Sequence, residues 1–160
     1  MSNTKRIVVT GCSRGLGRAL VDEFINAGHR VASCSRSADQ IATLSQAYSD
    51  DHQFHVLDVS DEAAVAQWSQ QLIRAFGVPD LVINNAAIIC QPAPLWEVPA
   101  DDFQKLVNVN IVGVHAIIRN LLPSMLERAQ GVVVNVSSGW GALFLQRLRR
   151  TAPQSGRSRV

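Results

Sequence analysis

Tyrosine occurs once in this 160-residue chain, at Tyr48, and lysine only twice, at Lys5 and Lys105, so no Tyr-x-x-x-Lys pair exists anywhere in it. Its three cysteines, Cys12, Cys34 and Cys90, are odd in number, widely separated and in no C-x-x-C arrangement. That excludes a small disulfide scaffold and reads as reduced thiols, which makes the cytoplasm the expected location. No uninterrupted apolar run approaches the roughly 20 residues of a membrane span. The first residues, Met1 to Arg6, lead into an apolar run without a signal-peptide core. No membrane partner is expected. Charged residues make up 18% and apolar ones 47%, with a mean hydropathy of +0.08, the balance of a soluble globular protein rather than a disordered or collagenous one. The length suits one ordinary domain and not two.

Acids are missing altogether from residues 142–160, which hold five arginines, whereas residues 1–141 hold ten Lys/Arg and all thirteen acids. The body thus carries −3 and the tail +5. A nucleic-acid partner would rest on that tail alone, with no aromatic interleaving or folded motif behind it, and none is expected.

The body alternates strand-like and helix-like segments. Ile7-Val8-Val9 ends in Thr10-Gly11, and a helical stripe of Leu16, Ala19, Leu20 and Phe24 follows, stopped by Gly28. Val31 to Cys34 is a second strand, and Ile41, Leu44, Ala47 and Tyr48 mark the helix after it. Phe54 to Leu57 is a third strand. Ser60 is positioned to cap the next helix, whose apolar positions Val65, Trp68, Leu72 and Phe76 form a core stripe. Leu81-Val82-Ile83 is the fourth strand. Beyond a loop with Pro92, Pro94, Pro99 and Trp96, where Trp96 is placed to line a site mouth, a long helix runs from about Asp101 to near Pro123. Val132 to Val136 is the fifth strand. Five strands with helices between them predict an α/β fold, a Rossmann-like doubly wound parallel sheet with helices on both faces. His52 and His55, three apart, have no acid or cysteine at ligand spacing, so surface imidazoles and no metal are expected.

Thr10-Gly11-Cys12-Ser13-Arg14-Gly15-Leu16-Gly17 joins the first strand to the first helix. Glycines there permit a tight turn and close approach of backbone to a pyrophosphate, which meets the positive helix N-terminus. This Gly-x-x-x-Gly-x-Gly spacing resembles the short-chain dehydrogenase/reductase family, of the type known as classical. Further matches follow in the right order. Asp58-Val59 resembles the family's adenine-contacting pair, and Asn84-Asn85-Ala86-Ala87 its Asn-Asn-Ala-Gly motif, with Ala87 where glycine is usual. Asn110, followed by Gly113, matches the family's catalytic asparagine, and Ser138 falls on its catalytic serine. The resemblance covers residues 5 to about 141. It implies an oxidoreductase moving hydride between a nicotinamide and a small carbonyl or alcohol substrate, and a homo-oligomer.

The end of the second strand bears on cofactor choice. A carboxylate there would hold the ribose 2′-hydroxyl of NAD and repel the extra phosphate of NADP. Ser35-Arg36 stands there instead, and Arg14 in the glycine loop adds a second guanidinium able to meet a phosphate bidentately. The expected cofactor is NADP(H) in preference to NAD(H), held by Thr10, Gly11, Ser13, Arg14, Gly15, Leu16, Gly17, Ser35, Arg36, Asp58, Val59, Asn84, Asn85, Ala86 and Ala87.

The resemblance also implies a proton-transfer tyrosine about a dozen residues beyond the serine and a lysine four residues later that lowers its pKa. Neither is present. Sliding the reading frame back by one base lets Thr151, thirteen residues past Ser138, read as tyrosine and Ser155 as lysine. The expectation is therefore an incomplete family domain over 1–141, truncated after the fifth strand, and a frameshifted Arg-rich tail over 142–160. Loss of the proton-transfer group alone removes about 10²- to 10⁴-fold in rate, so an impaired enzyme is expected. The alternative is a non-catalytic NADP(H)-binding module or a truncated by-product. The edge Val132-Val133-Val134 is expected to be exposed and to invite strand pairing.

Overall fold

The computed structural model describes residues 4–137. Ser138 and the tail over 142–160 lie outside the described residues. Five parallel strands, β1 (Arg6–Thr10), β2 (Arg30–Ser35), β3 (Gln53–Val56), β4 (Leu81–Asn84) and β5 (Val132–Asn135), form one sheet in the order β3-β2-β1-β4-β5. The chain winds outward from β1 in one direction, then crosses over and winds outward in the other. The reversal falls between β1 and β4, and the connections leaving these two strands part there, opening a crevice at their C-terminal ends.

Strand alternation divides the interior into two cores. Val8, Ala32, Cys34 and Val82 point to one face, under α3 (Glu62–Ala75) and α5 (Gly113–Glu127), with Val65, Leu72, Ile117 and Leu121 all buried. Ile7, Val9, Val31 and Ile83 point to the other, under α1 (Gly15–Asn26) and α2 (Ala38–Ala47), where Val21, Ile41 and Leu44 complete the core. Apolar residues fill both faces of β1 and β4, which accounts for their continuous hydrophobic runs. Arg128, just past α5, donates to the Val78 and Pro79 carbonyls at 3.1 and 2.8 Å and pairs with Asp80 at 3.0 Å. Asp80 also accepts from the Arg6 amide at 2.7 Å. This strap ties the sheet together at the end away from the crevice.

Several expectations are corrected. Asp61, not Ser60, caps α3, accepting from the Ala64 amide at 2.9 Å, because the Ser60 hydroxyl is turned back to Asp58 at 2.7 Å. The long helix does not stop near Pro123. Ala100–Val107 (α4), a π-helical turn at Asn108–Val112 and α5 follow one another, and α5 runs on to Glu127 with Pro123 inside it. Burial of Leu121 and Met125 on either side of the proline outweighs the local cost of its missing N–H. This 28-residue run is long and apolar enough to cross a membrane by length and composition. Its buried face, however, packs Val109, Ala116, Ile117 and Leu121 into a protein core. His52 and His55 are half-buried rather than surface residues: His52 Nδ1 accepts from the Val31 amide at 3.2 Å, and His55 packs edge-on against Trp68. Leu16, read as part of the core stripe, is 55% exposed. On β5, Val132 and Val134 are exposed, and its outer edge has no strand partner among the described residues.

Candidate functional site

At the C-terminal ends of β1, β2 and β4 lies a cleft of about 680 Å³. Its floor is the loop leaving β1. The Gly11 and Cys12 amides both donate to the Cys34 carbonyl, at 2.9 and 3.2 Å, so the loop is pinned across the end of β2. Two glycines then serve different needs. Gly15, at φ +59°, opens α1 in a left-handed conformation and has only open space where a side chain would stand. Gly17, the third residue of the helix, has no such freedom: a Cβ there would strike the Gly11 carbonyl oxygen and the Asn85 side-chain amide.

Thr10 and Asn85 hold the loop to the neighbouring strand. The buried Thr10 hydroxyl accepts from the Asn85 and Ala86 amides at 3.1 and 3.0 Å. In return, Asn85 Nδ2 donates to the Thr10 and Gly11 carbonyls at 2.9 and 3.0 Å. Asn84, also buried, donates from Nδ2 to Asn135 Oδ1 at 2.8 Å and links the ends of β4 and β5. Asn110 sits in the π turn and explains why an asparagine belongs mid-helix. Its Oδ1 accepts from the Ile88 amide and its Nδ2 donates to the Ile88 carbonyl, both at 2.9 Å. It thereby fixes the wall that follows Ala87.

At the far end of the cleft, Asp58 Oδ1 accepts from the Ser60 amide at 2.9 Å and hydroxyl at 2.7 Å, while Oδ2 faces Arg36 Nη1 at 3.8 Å. Partial burial pushes the Asp58 carboxyl up, but the two Ser60 bonds and the Arg36 charge outweigh it and hold its pKa below the ordinary value. Burial pushes the Cys34 thiol up to about 12 and raises the Cys12 thiol as well, so neither is a nucleophile at neutral pH.

Of the residues singled out from sequence, Gly11, Ser13, Arg14, Gly15, Leu16, Gly17, Ser35, Arg36, Asp58, Val59, Asn85, Ala86 and Ala87 line this one cleft. Thr10 and Asn84 do not reach its wall and act from beneath it; Asn110 acts through Ile88. Ser138 lies outside the described residues. The wall also includes Cys34, Leu57, Ile88, Ile89 and Val109, which the sequence reading missed. Cys34 and Leu57 immediately precede Ser35 and Asp58, so their placement at strand ends was a usable signal. The isoleucines had none, since loop residues carry no periodicity. Trp96 is 83% exposed and is not among the lining residues.

The model of the short chain dehydrogenase family matches residues 5–147. The chain belongs to that family. The chain is 38% identical over 139 residues to an NADPH-dependent pterin aldehyde reductase of Arabidopsis thaliana, the match covering 86% of this chain and 57% of the reductase. It is 37% identical over 131 residues to the 2-dehydro-3-deoxy-L-rhamnonate dehydrogenase (NAD(+)) of a Sphingomonas strain, covering 82% and 52% of the two. The solved structure of ElxO with NADP bound superposes with a TM-score of 0.79 at 31% identity, over 87% of this chain and 57% of that one. The chain spans about half the length of the curated relatives it matches.

Proposed function

We propose that this short-chain dehydrogenase binds NADP(H) in the cleft, in preference to NAD(H), and is built for hydride transfer between the nicotinamide and a small carbonyl or alcohol compound. The observation that carries the reading is the placement of Arg36 and Arg14 on one cleft wall with no carboxylate directly at the end of β2. The residues fit a dinucleotide. Helix α1 begins without a side-chain cap and without an acid in its first turn, leaving backbone N–H groups for an anion beside the open space at Gly15. Asp58 and Val59 would hold the adenine end, the two arginines the 2′-phosphate, and Asn85 to Ala87 the wall. When bound, the nicotinamide supplies or accepts the hydride.

The chain's own residues are left with orientation and proton handling. Asn110 keeps Ile88 in place, and Ser138 would donate a hydrogen bond to the reacting oxygen. The proton-transfer partner, a Tyr-x-x-x-Lys pair, is absent from the sequence, which favours a second reading in which the 160-residue chain binds NADP(H) without turnover. The reading includes a cytoplasmic location, supported by the unpaired cysteines.

The test is calorimetric titration of the full chain with NADPH and with NADH. NADPH is expected to bind about tenfold tighter, one charge-assisted contact discounted for solvent exposure. Arg36→Ala is expected to remove most of that preference. Equal or tighter binding of NADH overturns the cofactor reading. In parallel, NADPH oxidation against a panel of small aldehydes and ketones decides between the two readings, since any sustained turnover rejects the non-catalytic one.

A further inference from the structure

We propose that Asp58 limits the preference for NADP(H) by partly neutralising Arg36 across the adenine end of the cleft. The inference rests on the reading above, in which Arg36 faces the 2′-phosphate. Asp58 Oδ1 is committed to Ser60 through two bonds, so the carboxylate cannot swing away. That leaves Oδ2 fixed 3.8 Å from Arg36 Nη1. The separation is too long for a hydrogen bond and short enough for a direct charge interaction. Among the described residues no other acid pairs with Arg36, whose side chain is 63% exposed. Arg14, the second cation on the same wall, pairs with no acid among the described residues.

The consequence is a competition. Any phosphate that approaches Arg36 meets a guanidinium whose field is partly cancelled by a carboxylate that stays in place. The effect is specific to the phosphorylated nucleotide, because NADH and NADPH share the adenine, the pyrophosphate and every other contact. The ratio of the two dissociation constants therefore isolates it, even where a change at Asp58 also weakens the adenine contact common to both.

The full chain and its Asp58→Asn, Arg36→Ala and double variants are titrated with NADPH and with NADH. Asparagine keeps an oxygen to accept from Ser60 while removing the charge; Asp58→Ser provides a second charge-free variant should Asp58→Asn fold poorly. The ratio Kd(NADH)/Kd(NADPH) is expected to rise roughly two- to fivefold in Asp58→Asn and Asp58→Ser, as expected for an exposed pair. In the Arg36→Ala background, adding Asp58→Asn is expected to leave the ratio unchanged. An unchanged ratio in both single Asp58 variants overturns the proposal, and a fall would show instead that Asp58 orients Arg36 for the phosphate. A rise that persists without Arg36 also overturns it, because the carboxylate would then be repelling the phosphate directly. If Arg36→Ala itself leaves the ratio unmoved, or neither nucleotide binds, the underlying cofactor reading fails and this inference with it.

Discussion

Thr10→Val is the change that tests most directly how the cleft is held together. Valine has nearly the shape of threonine, so packing at this 2%-exposed position is preserved and only the hydroxyl is lost. That oxygen accepts from two backbone amides, Asn85 N–H at 3.1 Å and Ala86 N–H at 3.0 Å. Neither amide can turn toward a new partner, because the Asn85 side chain is itself bound to the Thr10 and Gly11 carbonyls. Each amide left unsatisfied costs about 1–3 kcal/mol, giving a loss of about 2–6 kcal/mol. Against a total stability of about 7–20 kcal/mol for a domain of this size, that is a large fraction. At about 3 °C per kcal/mol it corresponds to a fall in melting temperature of about 6–18 °C. Thr10→Ser keeps the hydroxyl and loses one methyl, for about 1 kcal/mol. The assay is thermal unfolding followed by far-ultraviolet circular dichroism, with NADPH titration alongside. NADPH affinity is expected to fall in Thr10→Val and to survive in Thr10→Ser, since the same amides set the loop against the wall. A Thr10→Val protein that melts within about 1 °C of the parent, or a Thr10→Ser protein less stable than Thr10→Val, refutes the reasoning.

Gly17→Ala gains about 1 kcal/mol of helix propensity, yet its methyl meets the Gly11 backbone carbonyl and the Asn85 side-chain amide, itself bonded to the Thr10 and Gly11 carbonyls, and overpacking costs about 1–3 kcal/mol. Nucleotide binding measured by calorimetry is expected to drop at least tenfold, and wild-type affinity would show that the loop can shift at no cost. His55 gives a pH dependence: burial lowers its pKa below the ordinary 6.5, so the unfolded chain binds its proton more tightly than the folded one. Its contribution to stability is complete above about pH 6.5 and is lost as the pH falls through the lower folded value, at up to about 1.4 kcal/mol per pH unit. His52 shifts in the same direction through burial, whereas the lowered Asp58 acts only in more acidic solution. His55→Phe is therefore expected to flatten the melting temperature between pH 6.5 and 5, and an unchanged slope counts against the assignment.

The parts of the fold that were legible in sequence are those where one local pattern has one outcome. The runs Ile7-Val8-Val9 and Leu81-Val82-Ile83 are apolar at every position because each strand lies in the middle of the sheet, and both became β1 and β4. The glycine loop after β1 was legible for the same reason, since Gly15 and Gly17 answer to constraints within the loop and its helix. Partner choice was less legible. Ser60 and Asp61 are both good N-caps, and Asp61 took the role because Asp58, two residues back, draws the Ser60 hydroxyl. Pro123 signals a helix end, but Leu121 and Met125 reach a core whose existence the local sequence does not reveal.

The candidate site divides along the same line. Residues whose side chains meet the cleft were recognisable by type, whereas those acting from beneath it were marked only by their place in the family's motifs, with nothing local to show what they bond to. Thr10, Asn84 and Asn110 belong to this second group. Each is buried or half-buried, and each spends its hydrogen bonds on another segment 22 to 76 residues away. Such bonds leave no periodic trace, because periodicity records which face of an element is buried and not what lies across from it. The π turn around Asn110 shows the cost of this arrangement: the helix gives up regular geometry over Asn108–Val112, where Asn110 pairs with both backbone groups of Ile88. A helix that ran straight through would rotate Asn110 away from the loop and leave the Ile88 amide and carbonyl without these partners. The irregular turn is therefore part of how the wall of the cleft is built.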